Sequence, residues 1–108
     1  MLLDPNGSWP IFVEDRWGHS IYLTWERWEH ALGHVGMHEG LLAYVLETLR
    51  KSGRKQDKYD PAKFKYSYQF SDLPMNYTHV EVVVKFGWQG NPVTANNFVL
   101  TAYLVKRW

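Results

Sequence analysis

At 108 residues and a net charge of +1, the chain has room for one domain with a single core, and six Trp, seven Tyr and five Phe supply much of that core. The absence of Cys excludes disulfides, thiolate zinc sites and catalysis by a thiol. No apolar run could span a bilayer and no signal pattern begins the chain, so we expect a cytoplasmic protein without a membrane partner.

The first part of the chain predicts a β-hairpin. Residues 1–8 contain an Asp-Pro-Asn-Gly turn and form a lead-in. Alternating apolar and polar residues then predict strands over residues 9–14 and 20–23, joined by a turn that contains glycine. Ile21 and Leu23 fall on one face of the second strand.

A short helix is predicted after the hairpin. Thr24 has the hydroxyl of an N-cap residue, which would accept a hydrogen bond from a free backbone N–H of the first turn. Trp25, Trp28 and Leu32 follow on one helical face. Gly33 suits the left-handed C′ position that ends a helix.

A connector and a longer helix are predicted next. Residues 34–40 show no clean periodicity. The strongest helical stripe of the chain follows, and it closes with Arg50 and Lys51 before Gly53. The stripe consists of Leu41, Leu42, Val45, Leu46 and Leu49. The polar residues 54–61 predict a loop.

Three strands are predicted in the second half, over residues 64–70, 80–86 and 98–105. In the last one, two rows alternate: Val99, Thr101, Tyr103 and Val105 against Leu100, Ala102 and Leu104. The order of elements predicts an α+β fold, one domain over residues 1–108, with a helical layer on one face of a sheet. We expect His30 to point toward the open face.

Basic residues are concentrated between the second helix and the strand that follows it. Seven of them lie between Arg50 and Lys65, against Asp57 and Asp60. One interpretation is a solvated helix end and loop, whose cations complement the helix C-terminal dipole. The other is a surface for a polyanion, because nearby tyrosines add stacking surface to the charge.

Three histidines have a spacing that could hold a metal. His30 and His34 are four residues apart, and His38 continues the series. The interval lacks the glutamate of the zinc-protease helix motif, and Gly33 is expected to end the helix between the first two. We therefore predict no metal and no cofactor.

A second group of residues could act on a phosphodiester. Lys65 and Lys85 occupy the strand face opposite the aromatic and valine rows, and Thr101 and Tyr103 share a face of the last strand. If strand order brings them together beneath His30, they could activate a ribose 2′-hydroxyl and stabilise a charged phosphorane without a metal. The simpler interpretation is ordinary strand composition, with lysines at edges and Tyr at the rim.

The order of these motifs is similar to a known family. The motifs are Gly18-His19-Ser20-Ile21, Trp28-Glu29-His30, the Leu-rich helix, Tyr66-Ser67-Tyr68, Val82-Val83-Val84-Lys85 and Leu100-Thr101-Ala102-Tyr103. Together they cover residues 13–105 and resemble the phage- and plasmid-borne members of the barnase–EndoU–colicin–RelE superfamily of small RNases.

The resemblance implies a RelE/barnase-like fold, with a hairpin and two helices on a twisted antiparallel sheet of about four strands. It also implies metal-independent cleavage of RNA, as in toxins of toxin–antitoxin or contact-inhibition systems. By matching position, His30 is the candidate acid or base. Lys85 and Thr101 would steady the phosphate, and Tyr103 would orient the substrate or stack on it.

The RNA contacts follow from the same comparison and from the charge pattern. Arg54 and Lys55 would hold backbone phosphates. Lys65 would add charge on the open face, while Tyr66 and Tyr68 would stack on bases. The partners that the resemblance implies are RNA and an antitoxin or immunity protein.

The sequence leaves three points open: one position in the motif order, the function and the oligomeric state. Relatives run from the first helix into a His-Pro-Glu segment where this chain has residues 34–39, so either His34 or His38 could take that place. The first hypothesis is an endoribonuclease that leaves a cyclic phosphate end. The alternatives are a non-catalytic module of the same fold that binds RNA or protein, and a His-rich metal-binding domain. The oligomeric state is not determined.

Overall fold

A computed structural model describes residues 8–107, and the predicted lead-in turn lies in residues 1–7, outside the described part. The strands are Ile11–Glu14 (β1), Ser20–Leu23 (β2), Arg54–Gln56 (β3), Lys63–Gln69 (β4), His79–Lys85 (β5), Trp88–Gln89 (β6), Thr94–Ala95 (β7) and Phe98–Val105 (β8). The α-helices are Trp25–Leu32 (α1) and Leu42–Lys51 (α2), and short 3-10 helices cover Glu39–Leu41 and Pro74–Asn76. Neither α-helix of this described part is long and apolar enough to cross a membrane.

Six strands form one mixed sheet in the order β1-β2-β8-β5-β4-β3, and β6 pairs with β7 in a separate two-stranded hairpin. All neighbours in the large sheet are antiparallel except β2 and β8, which meet in parallel at Tyr22 and Phe98. Asn97 fixes this junction, because its backbone oxygen accepts from the Tyr22 N–H at 3.0 Å and its side-chain amide donates to the Ser20 oxygen at 3.1 Å. The α+β class is confirmed, whereas the expectation of about four antiparallel strands is wrong.

The two additional parts of the sheet depend on the strands that they pair with. The predicted hairpin is present, and it joins the sheet through β8 instead of packing on it. Residues 54–56 were expected in a loop but form β3, since the outer edge of β4 offers them backbone partners. Their sequence, Arg-Lys-Gln, has no strand pattern of its own.

The core lies between one sheet face and the helical layer. Helix α2 packs on β5, β4 and β1, while α1 packs on β8. The buried members of the predicted stripe are Leu41, Val45 and Leu49, which confirms the inner face of α2. The sheet contributes buried side chains from β4, β5 and β8: Tyr66, Val80, Val82, Val84, Val99, Ala102 and Leu104.

A β-bulge in β8 changes the alternation that the sequence predicts. Val83 pairs with Thr101, but Val84 pairs with Val99, so Leu100 is the extra residue. Val99 therefore points into the core with Ala102, and not to the face that carries Thr101. The predicted placement of Val99 and Leu100 is wrong for this reason.

Helix α1 begins as predicted and ends differently. The Thr24 hydroxyl accepts from the Arg27 N–H at 3.2 Å, which confirms the N-cap, and Trp28 is buried. Gly33 has a right-handed conformation with φ of −75°, so its predicted left-handed role is wrong. The left-handed residue is Gly36, with φ of +83°, in the connector that leads to the 3-10 helix.

Gly36→Ala is expected to destabilise the fold by more than Gly18→Ala. Both glycines have positive φ, which costs an L-residue about 1–2 kcal/mol. A Cβ at Gly36 would also lie 3.0 Å from the Leu104 Cδ1 and from a Tyr77 ring carbon, whereas a Cβ at Gly18 would meet nothing within 4 Å. Urea denaturation of the two variants checks this, and equal losses would contradict it.

Candidate nucleic-acid interface

The sheet face opposite α2 holds a groove of about 510 Å³. Strands β8, β5 and β4 form its floor, and β3 with the residues after it forms one wall. The polar side chains that line it are Lys55, Lys58, Lys63, Lys65, Thr101, Tyr103, Gln56 and Asp57. The groove is thus a long, open and mainly basic surface.

The positive charge of the groove is concentrated by the strand register. Lys55 lies directly opposite Lys65, and like charges in that position repel. Within residues 8–107, no carboxylate lies within 4 Å of the ammonium groups of Lys55, Lys58 or Lys63. An anion bound in the groove would relieve this repulsion.

Asp57 does not neutralise these lysines by direct contact. Its Oδ2 accepts from the backbone N–H groups of Tyr59 and Asp60, at 2.9 Å each. These two hydrogen bonds lower the pKa of the Asp57 carboxyl. The carboxylate therefore stabilises the loop that forms the wall of the groove.

His34 is the histidine that contacts residues lining the groove. Its Nε2 lies 3.1 Å from the Thr101 Oγ1, and its ring centroid lies 5.7 Å from that of Tyr103. A hydroxyl can donate or accept, so this contact suits either neutral tautomer of the imidazole. The half-buried ring is held over β8 by the turn that follows α1.

His30 does not lie over the groove as predicted but is separated from it by His34. His30 is exposed on α1 and packs against the His34 ring in an edge-to-face arrangement, with 5.5 Å between centroids. The sequence predicts that His30 points toward the open face and that residues 34–40 form a connector. The chain instead turns back after Leu32 and brings His34 onto Thr101.

Glu81 is an acidic residue beside the groove that the sequence analysis did not select. It lies opposite Tyr103 on β5 and is only 3% exposed, although it belongs to the open face. Its carboxylate contacts the Arg107 guanidinium, accepts from the Ser67 hydroxyl at 3.2 Å and lies 3.7 Å from the Lys65 ammonium. The sequence signal that could have identified Glu81 is its position as the one acidic residue of a valine-rich strand.

Tyr103 keeps its proton at neutral pH. Burial raises the pKa of its hydroxyl, the nearby Lys65 ammonium lowers it, and the Glu81 carboxylate raises it, so the pKa lies above its ordinary value. The hydroxyl is therefore an O–H donor beside His34. Thr101 and Tyr103 share one face of β8, as predicted.

Lys85 has a different role from the predicted one. Its ammonium pairs with the Asp60 carboxylate, and this hydrogen bond lowers the pKa of Asp60. The pair anchors the loop between β3 and β4, which forms the wall of the groove. The contact with phosphate predicted for Lys85 would require this ion pair to open.

Arg54 and Tyr66 lie on the opposite side of the sheet from the groove. Consecutive residues of a strand point to opposite faces, so Lys55 faces the groove and Arg54 faces the core side. Tyr66 is fully buried and donates its hydroxyl proton to the Asp15 Oδ2 at 2.6 Å. Tyr68 is half-buried against Phe70, 5.3 Å away between centroids. Burial excludes the base stacking predicted for Tyr66, whereas Arg54 and Tyr68 lie away from the groove, so any RNA contact they make would be outside it.

Arg54 is held in an aromatic enclosure. Its guanidinium carbon lies 4.6 Å from the ring centroid of Trp17, 4.4 Å from that of Phe64 and 5.0 Å from that of Phe86. These contacts are cation–π interactions that fix a charged side chain on the core side of the sheet. The cations that line the groove are therefore lysines, and Arg54 is not among them.

The three histidines whose spacing could hold a metal are not grouped into a site. The His38 Nδ1 accepts from the Gly40 N–H at 3.1 Å and caps the 3-10 helix. Among residues 8–107, no three side chains of the metal-binding types are grouped so that they could hold an ion.

Comparisons of the chain with models of protein families, with curated proteins and with solved structures found no match. The function therefore has to be inferred from the groove and the residues beside it.

Proposed function

We propose that this domain is a metal-independent endoribonuclease of the RelE/barnase-like type, as the motif order suggests. The main observation in favour is the position of His34. It is hydrogen-bonded to Thr101 at the side of a groove lined by four lysines. An imidazole beside a basic surface is an arrangement that suits cleavage of a phosphodiester without a metal.

The chemistry can be assigned to this chain's own groups. Neutral His34 removes the proton from a ribose 2′-hydroxyl, and O2′ attacks the adjacent phosphorus. The bond from phosphorus to the 5′-oxygen breaks, which yields a 2′,3′-cyclic phosphate and a free 5′-hydroxyl. The Tyr103 hydroxyl and the Lys65 ammonium donate hydrogen bonds to the phosphorane oxygens. They are also the groups that can give a proton to the leaving 5′-oxygen.

A protective partner belongs to the same proposal. A cell that contains an active RNase must protect its own RNA, so we also propose an antitoxin or immunity protein. Its expected chemistry is acidic, because it would have to cover the lysines of the groove.

The test is incubation of the purified protein with mixed RNA in EDTA, followed by analysis of the fragment ends. We expect fragments with cyclic phosphate ends. Intact RNA together with a stable protein–RNA complex would favour the second candidate, a non-catalytic module that binds RNA through the same groove. Intact RNA without a complex would contradict both.

Lys55→Gln is expected to weaken RNA binding and its dependence on salt. Each phosphate contact on a single strand contributes about 0.7 to the slope of log K against log salt, so the slope should fall by about that amount. The control is Lys51→Gln, because Lys51 lies on α2, on the far side of the sheet, and pairs with Glu47. A slope that changes equally in both variants would contradict the assignment of the groove.

A further inference from the structure

The basic groove continues into a strip of aromatic rings on the same sheet face. Phe12 lies opposite Tyr22, and Tyr22 lies opposite Phe98 at the parallel junction. The ring centroids are 5.6 Å apart in the first pair and 6.0 Å apart in the second. The rings therefore form a contiguous row across β1, β2 and β8.

This row is in register with the lysines. Phe98 lies opposite Lys85, and Lys85 lies opposite Lys63, which lines the groove. One line of residues thus runs from an aromatic end on β1 to a cationic end on β4. Four interstrand spacings of about 4.8 Å make it about 19 Å long.

The aromatic end is accessible and has no role in the core. Phe12 is 65% exposed, although a large apolar ring normally lies inside a protein of this size. Its neighbour Val13 points to the other face and is buried. The Tyr22 hydroxyl donates to the Asn96 Oδ1 at 2.6 Å, which fixes the middle ring of the row.

We propose that this strip is a stacking platform for unpaired nucleobases, and that the substrate is single-stranded RNA. This inference rests on the proposed function of the groove. Charge complementarity selects the ligand, because lysines bind phosphates along a strand while aromatic rings accept bases of any sequence. The bases of a duplex are stacked inside it. A duplex would therefore bind the lysines through its phosphates, and Phe12 would add nothing to its affinity.

The test compares binding of a 2′-O-methyl oligouridine of about eight nucleotides, which covers the platform, with binding of a matched 2′-O-methyl duplex. The 2′-O-methyl group removes the nucleophile, so binding is measured without cleavage. We expect Phe12→Ala to weaken binding of the single strand by about 5-fold or more and to leave duplex binding unchanged. Met75→Ala is the control, since Met75 is 61% exposed in the turn between β4 and β5, at the other end of these strands.

The outcomes separate the two proposals. Cleavage of mixed RNA that survives in Phe12→Ala, with equal binding of single strand and duplex, would overturn the platform and leave the RNase. Tight, Phe12-dependent binding of the single strand without cleavage would support the platform and contradict the RNase. Binding that falls equally in Phe12→Ala and Met75→Ala would also overturn the platform.

Discussion

Replacing His34 with Ala is expected to lower the rate of RNA cleavage by about 10²- to 10⁴-fold, the range that a general acid or base contributes. His34 contacts Thr101 and Tyr103 of the groove floor, whereas the one ring contact that His30 makes among the described residues is with His34. We therefore expect His30→Ala to change the rate by less than about tenfold, the scale of one lost ring contact. Fragment formation in EDTA measures both.

A second substitution separates chemistry from structure. His34→Gln retains a side chain that can hydrogen-bond to Thr101 but cannot exchange a proton near neutral pH. Its melting temperature should stay close to that of the wild type while cleavage is lost. His38→Ala is the matched control, because the His38 ring caps the 3-10 helix and is exposed. Full activity in His34→Gln, or loss in His38→Ala alone, would contradict the assignment of His34.

Elements with strong periodicity could be predicted from the sequence. The strand Phe98–Val105 has the predicted bounds, and α2 lies where the leucine stripe places it. The hairpin and the Thr24 cap are also present. In each case the signal is local, since alternation or a capping hydroxyl is a property of a few neighbouring residues.

Features that depend on distant neighbours could not be predicted. Strand β3 exists because β4 has a free edge, and the parallel contact of β2 with β8 depends on Asn97. The bulge at Leu100 follows from the fit between β5 and β8. None of these has a periodic signature, because each is determined by the partner strand.

The candidate site shows the same division. Alternation places Thr101 and Tyr103 on one face of their strand and Lys65 opposite the aromatic row of its own strand. The strand order, which the sequence leaves open, brings the three together in the groove. His34 could not be selected over His30, because the choice depends on a turn whose left-handed residue is Gly36 and not Gly33. Arg54 could not be separated from Lys55 either, because the alternation that puts them on opposite faces exists only once β3 pairs with β4.

Asp15→Ala is expected to reduce the free energy of unfolding by about 3–5 kcal/mol, the loss typical of breaking a buried charge pair. The Asp15 side chain is completely buried and accepts from the Trp17 N–H at 3.0 Å, the His19 N–H at 2.9 Å and the Tyr66 hydroxyl at 2.6 Å. The Arg54 Nη1 lies 3.5 Å away. Removing the carboxylate leaves a buried hydroxyl and a half-buried cation without their acceptor.

Urea denaturation of matched variants tests that loss. Tyr66→Phe removes a single hydrogen bond to a charged group and should cost about 1.5–3 kcal/mol. Asp57→Ala is the control, because its carboxylate also accepts two backbone N–H groups but belongs to a loop at the surface. Similar losses for Asp15→Ala and Asp57→Ala would contradict the larger contribution that burial is expected to give Asp15.

The same cluster predicts how stability depends on pH. Burial raises the pKa of Asp15, but hydrogen bonds from Tyr66, His19 and Trp17 outweigh it, so the pKa in the folded protein lies below its ordinary value. A carboxyl with a lowered folded pKa stabilises the fold fully above its unfolded pKa of about 4, and this contribution disappears as pH falls through the folded value. Asparagine cannot titrate. As the pH is lowered from about 4, the free energy of unfolding of Asp15→Asn should therefore fall by less than that of the wild type. The lowered pKa values of Asp57 and Asp60 act in both proteins and cancel in the difference. If the free energy of unfolding falls equally with decreasing pH in the two proteins, the assignment to Asp15 is contradicted.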